Sequence, residues 1–163
     1  MKRYTADDDF LEIVKDILNH DEFSKTKKEG HHGINRYNHS LKVAYNSYKI
    51  SKKLNLNYVE AARGALLHDF FLSEDFEKEE PTLKNHPIKS LDNSLKYFDI
   101  NKIEADIISK HMFPIGLSMP KYKESWVVNA VDKGVSICEA SRKTRLQLKF
   151  VSYLFFLFFI KIT

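Results

Sequence analysis

The chain has 163 residues, which is long enough for one domain with a sizeable hydrophobic core. Its 43% hydrophobic and 29% charged residues are ordinary for a soluble globular protein, and a net charge of +4 is too weakly basic to indicate a nucleic-acid partner. A single cysteine, Cys138, excludes a disulfide framework within the chain. Because the first ten residues also lack the apolar run of a signal peptide, we expect a cytoplasmic protein.

Apolar residues at helical spacing dominate the first half of the chain. Three aspartates at positions 7–9 precede a first helix that continues to Leu18, where carboxylates suit a helix N-terminus. A second helix is predicted over residues 35–54 and a third over residues 57–71. The third is rich in alanine and glycine, whose small side chains let neighbouring backbones approach closely. We therefore predict that it is the central, buried helix.

Three further helices are predicted in the second half. Pro87 suits the first turn of a fourth helix, and Asn101 with Glu104 resembles a capping box that opens a fifth helix ending near residue 112. Ser125 is predicted to cap a sixth helix, whose apolar positions include Cys138. Because no alternating strand pattern is present, the predicted fold class is all-α.

The C-terminus carries the almost wholly apolar run "FVSYLFFLFFI" at residues 150–160. A membrane-spanning helix needs about 20 such residues, so no spanning segment is expected. Three alternatives stay open: a terminal helix packed on the domain, a self-association patch that makes a homodimer, or an interfacial anchor. We predict a main domain over residues 1–147 and a separate apolar segment over residues 148–163.

Six polar residues are expected to face the interior of this helical core. The segment "GALLHDFFL" at residues 64–72 is otherwise small or apolar, and it places a histidine beside an aspartate. Other histidines and an aspartate fall on apolar helix faces or at the mouth of the fourth helix. Burying these groups without partners would cost several kcal/mol each, and imidazole with carboxylate is a typical transition-metal ligand set. The predicted metal ligands are His39, His68, Asp69, His86, His111 and Asp132.

The order of these residues resembles a known family. His39, then the His68-Asp69 pair, then Asp132 reproduce the H…HD…D signature of the HD-domain superfamily of metal-dependent phosphohydrolases. The surrounding segments "RYNHSLKVA", "ALLHD" and "NAVDK" are similar too, and the likeness spans roughly residues 31–140. The resemblance implies a compact, single-domain helical bundle with its metal site in the helical core.

The resemblance also implies how ligands divide between metal ions. In this family's arrangement, His39, His68, Asp69 and Asp132 hold one metal. The additional His86 and His111 resemble the subset of HD proteins in which the carboxylate of the HD pair bridges to a second metal. Imidazole-rich sites suit iron, manganese, nickel, cobalt or zinc better than magnesium, so one or two such ions are expected.

The activity implied by the resemblance is hydrolysis of a phosphate ester or anhydride, on a nucleotide or another small molecule, by a metal-activated hydroxide. Asp69 and His68 serve the metal in that reaction. Arg36, Lys110 and Lys133 neighbour the predicted ligands and are expected to bind phosphate oxygens, with Arg36 and Lys133 also assisting catalysis. Two alternatives remain: a di-iron oxygenase of the same superfamily, and a non-catalytic sensor that binds nucleotide or metal.

Overall fold

The computed structural model describes residues 7–31, 34–76 and 81–162, with the side chains of residues 30, 31, 34, 143 and 146–162 left undescribed. Within these residues the fold is all-α, as predicted. A two-residue antiparallel ladder, β1 (Gly30–His31) with β2 (Ile34–Asn35), and one 3₁₀ turn (Ser73–Phe76) are the other regular elements described. The described α-helices are α1 (Asp8–Leu18), α2 (Asp21–Lys25), α3 (Arg36–Lys53), α4 (Tyr58–Leu67), α5 (His86–Tyr97), α6 (Lys102–Lys110) and α7 (Lys123–Ile162).

Side chains at helix N-termini explain where several helices begin. The carboxylate of Asp7 accepts a hydrogen bond from the Phe10 amide, and the Asn35 side chain accepts one from Asn38. Asn101 and Glu104 form the predicted capping box at the start of α6. Each cap satisfies an amide that has no partner within its own helix, so these starts are encoded locally.

The central helix of the core is α4, as its composition predicts. Ala61, Ala62 and Ala65 are fully buried, and α4 packs against α1, α3, α6 and α7. At Gly64 an added Cβ would lie 2.9 Å from the Ile107 Cδ1 atom, so glycine is required where α6 crosses. This close approach of α4 and α6 brings their C-terminal ends together.

Two predicted helix boundaries and one burial prediction are wrong. α4 ends at Leu67 rather than at residue 71, so His68 follows the helix. α7 begins at Lys123, and Ser125 lies in its first turn, where its hydroxyl donates to Asp106 at 2.7 Å. Cys138 is exposed, because it lines an open cleft between α3 and α7 instead of the packed core.

The C-terminal apolar run continues α7, which is 40 residues long and therefore about 60 Å from end to end. The expected sixth helix and the apolar run are thus one helix rather than two. The side chains of the run lie outside the described residues, so the separation of a segment at residues 148–163 stays a prediction. Among the described residues, no helix is long and apolar enough to cross a membrane.

Candidate metal centre

Five helices supply the six predicted ligands to one place. His39 lies in the second turn of α3, and Asp132 lies on the facing side of α7. His68 and Asp69 follow the end of α4, while His111 follows the end of α6 and His86 begins α5. The four imidazoles and Asp132 are at least 92% buried, and the Asp69 side chain keeps 21% of its exposure. The structure brings all six predicted residues together.

Three of the histidine rings are oriented by backbone carbonyls. The Nδ1 atom of His68 lies 2.8 Å from the Ala65 carbonyl oxygen, and that of His111 lies 2.8 Å from the Ile108 carbonyl oxygen. Both carbonyls belong to the last turn of a helix, where no backbone amide is available to them. The Nδ1 atom of His86 similarly lies 2.7 Å from the Thr82 carbonyl oxygen. Each Nδ1 therefore carries the proton, which leaves the Nε2 lone pair of each ring facing the centre.

The carboxylate of Asp69 lies between two groups of ligands. Its Oδ2 atom is 3.4 Å from the His68 Nε2 atom. Its Oδ1 atom is 3.4 Å from the His86 Nε2 atom and 3.6 Å from the His111 Nε2 atom. In each group, His39–His68–Asp69 and Asp69–His86–His111, one ligand atom from every residue lies within 4.8 Å of the others. Asp69 is thus placed to serve two metal ions.

Asp132 completes the first group. Its Oδ1 atom lies 3.0 Å from the His39 Nε2 atom and 3.6 Å from the His68 Nε2 atom. Three elements therefore converge on this oxygen and on the Asp69 carboxylate, as expected for a site with two imidazoles and two carboxylates.

Unpaired nitrogen lone pairs indicate that these residues fit a metal. The buried His68 Nε2 atom has no hydrogen-bond partner among the described residues. The Nε2 atoms of His86 and His111 lie 2.9 Å apart, although the Nδ1 atom of each ring already donates to a carbonyl. Two lone pairs at that separation repel unless a cation lies beside both. Imidazole and carboxylate donors suit a divalent transition metal.

The pKa shifts show a centre that attracts positive charge. Burial disfavours the imidazolium of His68, but the charges of Asp69 and Asp132 prevail and raise its pKa to about 9. Burial also opposes ionisation of Asp132, yet its hydrogen bond to His39 and the nearby charge of His68 hold the pKa of this carboxyl well below its usual range. Burial and the His68 charge lower the pKa of His111 to about 4. The carboxylates are therefore ionised and His111 is neutral, as ligands must be. Without a metal, the His68 ring carries a second proton on Nε2 at neutral pH, and a metal ion would take the place of that proton.

Arg36 lies at the mouth of the centre. With Asp69 and His86 it lines a cavity of about 660 Å³. Its guanidinium stacks on the Phe71 ring at 3.7 Å, donates to the Phe71 carbonyl oxygen at 2.8 Å and pairs with the Glu29 Oε2 atom at 3.4 Å. Because a guanidinium has five N–H donors, these contacts fix its position and leave further donors for a ligand in the cavity.

The two predicted lysines are placed differently. Lys133 donates from its ammonium to the His111 carbonyl oxygen at 3.0 Å, next to the end of α6. Lys110 is half-buried at the last position of α6. Arg36 is among the described residues that line the cavity beside Asp69, whereas Lys110 and Lys133 are not.

One residue at the centre was not predicted from the sequence. The Oε2 atom of Glu139 lies 2.9 Å from the His39 Nδ1 atom, and its other oxygen pairs with Lys42. Glu139 follows Asp132 by seven residues, which is two helical turns, so the two carboxylates lie on one face of α7. This seven-residue spacing is the sequence feature from which Glu139 could have been predicted to lie near Asp132.

Comparison with protein families shows what this arrangement belongs to. The HD domain profile matches residues 36–134, more than half of the chain. The chain belongs to the HD domain family. This confirms the resemblance seen in the H…HD…D order, and all six proposed ligands lie within the matched residues. HD domains bind divalent metals, and the family includes phosphohydrolases. Comparisons with curated proteins and with solved structures return no match.

Proposed function

We propose that this HD domain is a metal-dependent phosphohydrolase that acts on a nucleotide or another small phosphate ester or anhydride. The observation that carries the proposal is the Asp69 carboxylate, shared between two histidine groups beside the cavity that Arg36 lines. A fixed cation next to a centre for two metals suits an anionic phosphoryl group, because each charge on that group then meets a positive partner.

We assign the proposed ligands to two metal ions that share Asp69. The first ion is held by His39, His68, Asp69 and Asp132, and the second by Asp69, His86 and His111. When bound, these ions supply Lewis-acid activation of water and neutralise phosphate charge. Iron, manganese, nickel, cobalt and zinc are the proposed candidates.

The chain's own residues orient the substrate. Arg36 grips two phosphate oxygens with the N–H groups that Phe71 and Glu29 leave free, since a planar guanidinium matches that geometry. Phe71 prevents the guanidinium from turning away, through the ring and carbonyl contacts. The roles of Lys110 and Lys133 as phosphate contacts stay predictions. Because Lys133 donates to the His111 carbonyl oxygen, it is better placed to hold the end of α6.

An assay across nucleotides, dinucleotides and phosphomonoesters with each candidate metal tests the function. We expect metal-dependent release of phosphate or a nucleotide product without oxygen uptake. Arg36→Ala should raise KM by roughly 10- to 100-fold, as expected for a lost charge-assisted contact of about 1.5–3 kcal/mol. Arg142→Ala, which removes an exposed arginine of α7, is the matched control and should leave KM unchanged.

Two other results would replace this proposal. Turnover that requires molecular oxygen and a reductant would identify an oxygenase. Tight binding of nucleotide or metal with no turnover of any substrate would identify a sensor domain.

We also propose that the apolar end of α7 makes a homodimer, and that the protein is cytoplasmic. Deleting residues 150–163 should leave metal binding intact, because every proposed ligand lies at or before residue 132. The truncated chain should elute later on size-exclusion chromatography, as a monomer with higher solubility. Unchanged elution would contradict the dimer, and loss of metal would show that the segment belongs to the main domain.

A further inference from the structure

His39 differs from the other three histidines of the metal centre in how its ring is held. His68 and His111 follow helix ends and donate to last-turn carbonyls, and His86 donates to a carbonyl that precedes α5. His39 lies inside α3, where the carbonyls one turn earlier already accept backbone amides. Its Nδ1 proton therefore has no backbone acceptor nearby and needs a side chain from another helix.

Glu139 supplies that acceptor from α7. Its Oε2 atom lies 2.9 Å from the His39 Nδ1 atom, while the His39 Nε2 atom faces Asp132 across 3.0 Å. The Glu139 side chain keeps only 10% of its exposure, so water competes little for this contact. The two ring nitrogens are thus directed to opposite sides, with Nε2 toward the metal centre and Nδ1 away from it.

Lys42 fixes the Glu139 carboxylate in turn. It lies three residues after His39, hence one turn further along α3, and its ammonium pairs with the Glu139 oxygen that His39 does not use. Each carboxylate oxygen therefore has a separate partner on α3. These two contacts limit rotation of the carboxylate and keep its Oε2 atom directed at the His39 Nδ1 atom.

We propose that Glu139 is a positioning residue that orients His39 as a metal ligand, and that Lys42 holds its carboxylate in place. The inference rests on the proposed metal centre and deepens it. Glu139 fixes the His39 ring with its proton on Nδ1, directs the Nε2 lone pair to the first group, and raises the basicity of that nitrogen. It acts through His39 and touches neither metal nor substrate.

Zn²⁺ titration of the full-length chain tests this role. Glu139→Ala should weaken one of two Zn²⁺ equivalents by about 10- to 100-fold, the usual effect of losing an outer carboxylate partner, and leave the other unchanged. Glu139→Gln should lie between wild type and alanine, because its amide oxygen still accepts from Nδ1 but carries no charge. Lys42→Ala should have a smaller effect in the same direction.

NMR of the histidine ring nitrogens in the Zn²⁺-loaded protein reports which nitrogen of each ring carries the proton and which binds Zn²⁺. This pattern would not change at His39 if Glu139 contributed only to folding stability. In the wild type, His39 should show a proton on Nδ1 and Zn²⁺ on Nε2. In Glu139→Ala this pattern should be lost for His39 alone and kept by His86 and His111.

Glu124→Ala is the matched control, since Glu124 is a buried glutamate of the same helix that accepts from the Asn57 amide at 2.9 Å. It should lower the melting temperature without changing Zn²⁺ affinity. If Glu139→Ala changed Zn²⁺ affinity and the His39 spectrum no more than Glu124→Ala does, the positioning role would be overturned. If the wild-type protein bound no Zn²⁺, the proposed metal centre itself would be wrong. This failure is seen in the wild type alone, so it is distinct from a failure of the Glu139 role.

Discussion

Asp69→Asn is expected to remove both metal ions from the protein. The carboxylate presents one oxygen to His68 and the other to His86 and His111, and asparagine offers a single neutral oxygen in the same volume. Both groups lose a charged ligand, so affinity should fall by more than the roughly 100-fold that outer-shell changes cause. Elemental analysis after purification without chelator, followed by metal titration, measures the loss.

Variants of ligands that belong to only one of the two groups should lose less metal than Asp69→Asn. His86→Ala and His111→Ala should each lose about one metal equivalent, because these residues lie in the second group only. Asp106→Asn is a control, since Asp106 accepts from the Lys121 amide and the Ser125 hydroxyl away from the centre. It should lower stability and retain both ions. Two full equivalents in Asp69→Asn would refute a shared carboxylate.

Arg63→Met is expected to cost about 3 kcal/mol of folding free energy. The Nε atom of Arg63 donates to Glu104 at 2.8 Å, and its NH1 atom donates to Asp16 at 2.7 Å and to the Ile13 carbonyl oxygen at 3.2 Å. The Glu104 side chain keeps only 3% of its exposure, so without Arg63 its charge stays buried and unpaired. Urea denaturation in the presence of a chelator measures this cost without a contribution from bound metal.

The double variant Arg63→Met/Glu104→Met separates charge from packing. Removing both partners eliminates the unpaired charge, so much of the stability should return, apart from about 1 kcal/mol for the Glu104 half of the α6 capping box. Lys25→Met removes an exposed ammonium that pairs with Glu22 and Glu74, and it should change stability little. A double variant as unstable as Arg63→Met would show that the loss comes from packing.

The sequence by itself determined the all-α fold and the inward direction of the proposed ligands that lie on apolar helix stripes. A helix repeats every 3.6 residues, so a histidine on an apolar stripe is directed to the core whatever the neighbouring helix is. Periodicity alone therefore predicts that His39, His111 and Asp132 face inward. Asp7, Asn35 and Asn101 act on amides two or three residues away, and their effect is local too.

Tertiary structure decided how these faces meet. Periodicity could not locate the end of α4, because the apolar run continues past it. The helix stops because the His68 ring donates to the Ala65 carbonyl oxygen, which is the acceptor that the next backbone amide of the helix would need. The division of Asp69 between two groups, the Arg36 position on Phe71 and the support of His39 by Glu139 all join residues distant in the chain. Such contacts depend on how closely helices approach, and here that distance is set by contacts such as Gly64 against Ile107. No pattern within a single helix encodes them.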